Sequence, residues 1–484
     1  MQALEQASAD VIVVGGGAAG LHTALTAAEL GARVRLIARK PLRESSSYWA
    51  QGGLAAAIGD DDSPELHAED TIAAGRECCR RSAASVLAAE APLVVEGLER
   101  RGVEFDREPD GRLALALEGG HTRRRVVHAG GAGTGRRITE RLAALAAAEE
   151  RIELSEEISV LALWSDGERC HGVVTDGGSV QAPATVLATG GAAALWSRTT
   201  NPWGAIGAGL VIAEAGGAAL ADLELCQFHP TALSAPGTDA DGLLITEAIR
   251  GEGAQLRDVD GERFTDELAP RDVVTLAILD RIDQSAAEQV LLDMRTVPEL
   301  RFPNVFEALR AAGYDPSAET IPVAPAAHYV MGGIATDLNG RSSLPGLYAV
   351  GECSCSGLHG ANRLASNSLS ECFVQGGRAA RAASGETDPG RAPDPPDWRF
   401  QPPPLETRDA VWRGAGPRRS AEGLERLLDD PYPMARAIGR FALARPESRG
   451  SHRRLEYPRR DPELDCLHLV REDGAEAPAW QRWT

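Results

Sequence analysis

Lysine is almost absent: Lys40 is the only one, and the other 49 basic residues are arginines. With the many alanines this fits a GC-rich genome and carries no functional reading. Positive charge is also in deficit, with 50 Lys and Arg against 70 Asp and Glu and a formal charge of −20. Such a balance repels phosphate backbones and anionic lipid surfaces, so neither nucleic acid nor a membrane is an expected partner. Gly and Pro supply only 81 of 484 residues, which excludes collagen-like and low-complexity classes. The eight cysteines show no C-x-x-C spacing, and a chain of this length folds without disulfides. No basic region precedes the first apolar stretch, which Gly15, Gly16, Gly17 and Gly20 interrupt, so neither a signal peptide nor a span is expected. Ala182 to Ser197 is too short and glycine-rich to cross a bilayer. The expectation is a reduced, cytoplasmic globular protein of two to four domains, at roughly 100 to 200 residues each.

What is present begins with an apolar run, Asp10 to Val14, that stops at Gly15-Gly16-Gly17-Ala18-Ala19-Gly20. An alanine-rich helical stretch follows to Leu30, and Arg33 to Ala38 reads as a second strand. This is a βαβ opening with G-x-G-x-x-G in the context its mechanism needs. The first glycine makes the turn, the second lets the backbone approach a pyrophosphate, and the third lets helix and strand pack closely. A diphosphate would sit on the helix N-terminus. The acid that binds the ribose of NAD is missing at the end of the second strand, where Ala38, Arg39 and Lys40 stand, which argues against a simple NAD site.

Thr185 to Gly191 and Gly346 to Glu352 repeat the pattern of a strand ending in glycine. The predicted class is α/β: a Rossmann-like FAD-binding domain, discontinuous over 1–223 and 324–387, with an inserted α+β capping domain at 224–323. The seven prolines of 388–404 read as a stiff linker. A shortened C-terminal helical region, 405–484, has Leu424, Leu427 and Leu428 at helical spacing and reads as a small appendage.

Four segments combine unusual residue types: Ser45 to Gly53 (S-S-S-Y-W-A-Q-G-G), Gln227 to Thr231 (Q-F-H-P-T), Ala269 to Asp272 (A-P-R-D) and His359 to Leu369 (H-G-A-N-R-L-A-S-N-S-L). On these the chain resembles the succinate dehydrogenase/fumarate reductase flavoprotein family from about residue 9 to 380. Arg445 to Pro458 echoes the family's tail. The resemblance implies FAD, bound by Gly15, Gly17, Ala18, Ala19, Gly20, Arg39, Ser46, Ser47, Gln51, Gly52, Gly53, Glu352, Ser368 and Leu369. It is expected to be noncovalent, because Ser47 stands in the segment that carries the flavin-linking histidine of succinate dehydrogenases. The resemblance further implies a C4 dicarboxylate held by His229, Thr246, His328 and Arg363, with Arg271 as the catalytic proton donor and acceptor. No metal is expected.

Taken singly, His229 and His328 fit hydrogen-bonded core histidines, and Arg271 and Arg363 fit structural ion pairs; only their joint presence in these motifs points to a site. Cys78-Cys79 and Cys353-Ser354-Cys355 read as small packing residues, and Arg123-Arg124-Arg125 as a solvated face that, lying beside His121, could also line the site. Glu118-Gly119-Gly120-His121 and Leu364-Ala365-Ser366-Asn367 resemble most the branch of the family that oxidises L-aspartate. There Glu118 would pair with the ammonium that succinate lacks. The implied activity is oxidation of L-aspartate to iminoaspartate, with oxygen or fumarate as acceptor. It would be the first step of NAD biosynthesis, with a transient hand-off to quinolinate synthase. Two alternatives stay open: a soluble fumarate reductase-like flavoprotein, and a degenerate FAD-binding protein. The second rests on Ala132 and Ala208, which replace the family's acids and would remove polar groups near FAD.

Overall fold

The computed structural model describes residues 9–484 except 286, 388, 389 and 391. Its central sheet has five parallel strands in the order Leu347–Ala349, Ala184–Leu187, Val11–Val14, Val34–Ala38, Ile152–Glu156. Val11 to Val14 is apolar at every position because both faces are covered. Val11 and Val13 pack with Leu21 and Leu25 of the helix Ala18–Glu29, while Ile12 and Val14 pack with Trp196 and Leu210 on the other face. The first strand thus sits in the middle of the sheet, where the crevice beyond the strands' carboxyl ends is the place for a ligand in such folds.

A four-stranded antiparallel sheet forms the cap, in the order Cys226–Leu233, Ile321–Val330, Val290–Asp293, Gln255–Arg257. It has a core of its own, including Leu233, Ile278, Phe306 and Val323. The strand Ile321–Val330 runs through residue 323, the expected edge of the cap, so cap and body share two continuous strands: Phe228 and Ala327 belong to the body's core. The tail is more than an appendage. Helices Leu405–Ala415, Ala421–Leu427 and Pro433–Ala444 add Val411, Leu424 and Phe441 to the body's core. The strands Leu467–Arg471 and Ala479–Arg482 then join a sheet with Leu220–Ala221, Gly333–Ala335 and Ser354–Cys355. Among the described residues no helix is long and apolar enough to cross a membrane.

Buried arginines fasten these parts. Arg125, expected on a solvated face with its two neighbours, is fully buried; its guanidinium donates to Asp62 at 2.8 and 2.9 Å and to Asp70 at 2.5 Å. Arg445 donates to Glu224 at 2.6 Å and Glu447 at 3.1 Å, and Arg449 donates to Glu447 at 2.8 Å and Asp465 at 2.8 Å. Removing one partner of a fully buried ion pair leaves the others uncompensated and costs about 3 to 5 kcal/mol. Arg445→Ala is therefore expected to lower stability by about that amount, read as a lower urea midpoint; an unchanged midpoint would show that the network does not hold the tail.

Candidate functional site

A cavity of about 610 Å³ opens at the carboxyl ends of the central strands and runs under the cap. Every residue expected to hold cofactor or substrate lies on its wall except Gly20. Gly20 serves the packing of the motif instead, since a Cβ there would come within 1.9 Å of the Gly15 carbonyl oxygen. Gly15 takes φ +120°, and a Cβ on it would meet the Ala188 oxygen at 2.1 Å. At Gly17 a Cβ would meet only the Ser47 hydroxyl, at 3.2 Å, so the backbone there lies open to the cavity. The helix Ala18–Glu29 begins with no side-chain cap and no acid in its first turn. Its one side-chain partner at the start is Ser47, whose Oγ accepts from the Ala18 N–H at 3.1 Å. An uncapped N-terminus suits a diphosphate.

Two further features fit a dinucleotide. Gln51 Oε1 is buried without a partner and faces a cavity, an acceptor suited to an N–H donor of a ligand. Glu352 is buried, which pushes its carboxyl up to about 7, and its Oε1 accepts from the Val330 N–H at 3.1 Å. A carboxyl poised between its two protonation states can both accept from and donate to hydroxyl groups. Ser368 and Leu369 open the helix Asn367–Ala383 against the same space.

The cap contributes the cationic part. The strands Cys226–Leu233 and Ile321–Val330 pair Gln227 with Tyr329 and Phe228 with Ala327, which leaves His328 as the extra residue of a bulge. A second irregularity, at Pro230 and Thr231, flanks His229; proline lacks the N–H a regular ladder needs. These breaks bring the two rings together at the cavity, with centroids 5.2 Å apart. His229 Nδ1 accepts from the Thr231 N–H at 3.3 Å, so the neutral ring carries its proton on Nε2. His328 Nδ1 lies 2.7 Å from the Thr200 hydroxyl. Burial, followed by the nearby Arg271, pushes both histidines well below their usual range.

Arg271 opens the helix Arg271–Ser285 and donates to Glu247 at 2.7 Å and to Gln227 at 2.9 Å. The same Gln227 oxygen lies 3.4 Å from Arg363 Nε, so one amide ties the two guanidinium groups together. Arg363 also lies over the Tyr329 ring, 4.5 Å from its centroid, and donates to the Ser368 hydroxyl. Burial, then repulsion from Arg271, brings Arg363 down to about 10. Thr246 and Glu118 complete the wall. Glu118 accepts from Ser366 at 2.6 Å and lies 3.5 Å from His128 Nε2. Burial alone would raise its pKa, but the contacts with His128 and Ser366 outweigh that and hold it near about 2.

Glu247, Gln227 and Ser366 were not among the predicted site residues. Glu247 directly follows Thr246, and its hydrogen-bond partner Arg271 stands 24 positions on, so the pairing gives no local signal. Ser366 has φ +61°, uncommon for a residue with a side chain, and this backbone turns its hydroxyl toward Glu118. Of the two replaced acids, Ala208 lines the cavity, but Ala132 does not, so the expected loss of a polar group near the cofactor applies only to Ala208. Cys353 and Cys355 are buried packing residues, and His121 is buried against Arg125 and the Ala365 carbonyl.

The family model described as FAD binding domain matches residues 10–369, and that of the fumarate reductase flavoprotein C-terminus matches 424–479. An L-aspartate oxidase of Streptomyces coelicolor is 42% identical over 96% of this chain and 91% of its own length. One of Caulobacter vibrioides is 43% identical over 96% of both. Among solved structures, a quinol-fumarate reductase with menaquinol matches with a TM-score of 0.89 at 29% identity, covering 99% of this chain and 98% of that one. Mycobacterium smegmatis Sdh1 in complex with UQ1 matches at 0.81 and 31%, covering 99% and 94%.

The neutral state of His328 has a consequence for stability. The unfolded chain binds a proton on this ring below about pH 6.5 and the folded chain does not, so its contribution is full above that pH and lost as pH falls below it. Wild type is expected to lose stability relative to His328→Gln by up to about 1.4 kcal/mol per pH unit below pH 6.5. Urea unfolding at pH 7.5, 6.0 and 5.0 measures the gap, and a gap independent of pH would contradict the assignment.

Proposed function

Because the chain belongs to the FAD-binding flavoprotein family that contains the L-aspartate oxidases, we propose that its cavity oxidises L-aspartate at Cα to iminoaspartate, with oxygen or fumarate as acceptor. On this reading the reaction opens de novo NAD biosynthesis by way of quinolinate. FAD, held without a covalent bond by Gly15, Gly17, Ala18, Ala19, Arg39, Ser46, Ser47, Gln51, Gly52, Gly53, Glu352, Ser368 and Leu369, supplies the two-electron acceptor when bound. The observation that carries the reading is the pairing of Arg271 and Arg363 through Gln227, beside two neutral histidines and within reach of one ionised acid.

Such a set suits a dicarboxylate carrying an amino group. Arg363 presents a planar fork to one carboxylate, and the Nε2–H of His229, with Thr246 and His328, donates to the other. Desolvated carboxylates need these charge-assisted bonds to leave water. Arg271 is held by Glu247 and Gln227 with its remaining N–H groups free to hand over or accept the proton that accompanies electron transfer. Glu118 pairs with the substrate ammonium. We read residues 1–223 with 324–387 as the FAD-binding body, 224–323 as the cap, 388–404 as a linker and 405–484 as the C-terminal region; the separate core of the cap supports this division. Iminoaspartate hydrolyses in water, which favours a transient hand-off to quinolinate synthase.

The purified protein is expected to be yellow, to bleach anaerobically with L-aspartate, and to release all its flavin on acid precipitation. Colour retained by the denatured polypeptide would overturn noncovalent binding, and absence of bleaching would overturn the activity.

Glu118→Gln keeps volume and removes a charge that aspartate needs and fumarate does not. We expect kcat/KM for aspartate to fall by roughly 5- to 150-fold, corresponding to about 1 to 3 kcal/mol, while fumarate reduction by chemically reduced protein changes little. Equal losses in both activities would make Glu118 structural.

A further inference from the structure

The proline-rich segment read from sequence as a linker reaches the cavity. Phe400 and Pro402 lie on its wall, on the same cavity as the glycine turn. Phe400 packs, with Ile158 and Val160, against the core cluster that includes Ile206 and Ile212, all of them on the cavity lining with Leu161. Several contacts fix this segment. The Phe400 N–H donates to the Leu161 carbonyl at 2.7 Å, beside the strand Val160–Ser165. Trp164 Nε1–H donates to the Pro393 carbonyl at 2.9 Å. The Phe400 ring meets Tyr432 edge-on, with centroids 6.4 Å apart and planes at 78°. Tyr432 is itself held by its hydroxyl, which donates to the Ile206 carbonyl at 2.8 Å.

The position of this apolar stretch within the cavity says which part of a dinucleotide it meets. In a βαβ unit the diphosphate lies at the first helix N-terminus and the adenosine ribose beside the end of the second strand. Here Arg39 stands directly after the strand Val34–Ala38 and donates to the Gly204 carbonyl at 3.1 Å. Ile158 follows the neighbouring strand Ile152–Glu156, and its N–H donates to the Ala38 carbonyl at 3.1 Å. The cationic residues claim the other part of the cavity for substrate. What remains is a slot with aliphatic walls and one oriented aromatic ring, the surface a purine base stacks on.

We propose that Phe400 is a cofactor-binding residue: its ring forms a wall of the slot that takes the adenosine half of FAD and makes the chain hold FAD in preference to flavin mononucleotide. The proposal rests on the reading that the cavity binds FAD. It requires no movement of the segment, because the backbone bond to Leu161 fixes position 400 whatever its side chain.

The test measures dissociation constants of deflavinated full-length protein for FAD and for flavin mononucleotide, by quenching of flavin fluorescence. Phe400→Ala is expected to weaken FAD by roughly 5- to 150-fold, the range for loss of one base–aromatic stack, and to leave flavin mononucleotide unaffected. Phe400→Trp is expected to restore FAD binding. Equal weakening of both flavins would show Phe400 to be merely structural, and unaltered FAD binding would also overturn the proposal. Phe400→Leu keeps apolar packing without a π face; should the alanine variant misfold, the leucine variant decides by the same two constants. Wild-type protein that binds neither flavin would instead defeat the FAD reading itself.

Discussion

A guanidinium group buried without a partner is among the most costly things a protein interior can hold, and this molecule buries many. Those that fasten the parts are matched by acids, most of them brought from far along the chain. Arg125 meets Asp62 and Asp70, Arg271 meets Glu247, and Arg445 meets Glu224 and Glu447. Body, cap and tail must therefore dock in one arrangement, because any slip would strand charges in a low-dielectric interior. Arginine suits the task better than lysine, since its planar fork divides several hydrogen bonds between partners and keeps its charge under burial. In the cavity the two arginines are joined through a neutral amide: Arg271 and Arg363 share Gln227, and Arg271 also pairs with Glu247. On the proposed reading, a substrate carboxylate supplies the negative charge that this amide does not.

The sequence made the central part of the fold legible because its signals are local. The glycine spacing, the apolar run before it and the second strand lie within thirty residues, and the turn they predict forms as expected, with Gly20 serving packing. The cationic residues were legible only through family motifs, since His229 and His328 lie on different strands and meet through bulges that no residue pattern announces. Arg125 was misread for the same reason: its partners stand about sixty positions earlier, and a run of three arginines looks solvated when those partners are out of view. Glu247 escaped notice because its meaning depends on Arg271 and Arg250. The tail shows only helical spacing in the sequence because its strand Leu467–Arg471 pairs with Leu220–Ala221, far outside any local window.

Backbone and side chain divide the labour at the site. Glycines and bulges fix where the chain runs, and Ser366 is held in a left-handed conformation beside Glu118. Side chains then correct one another's ionisation: Glu118 stays charged through His128 and Ser366, while burial and Arg271 keep the histidines neutral. Donors and acceptors are thus set before a ligand arrives, so little reorganisation is left for the binding event.

The order of strands in the central sheet has a further consequence, for synthesis. Val11–Val14 is made before the other strands of this sheet, yet one neighbour is Ala184–Leu187, whose own neighbour is Leu347–Ala349. The glycine turn accordingly waits, half-walled, while the cap is being made, and the helix that closes the crevice begins only at Asn367. Pairings this distant in sequence are slow to form and expose apolar edges meanwhile. A nascent chain of this design completes its cavity late, because Leu369, Phe400 and Pro402 on the wall and Phe441 in the body's core are all made after the last strand of the central sheet.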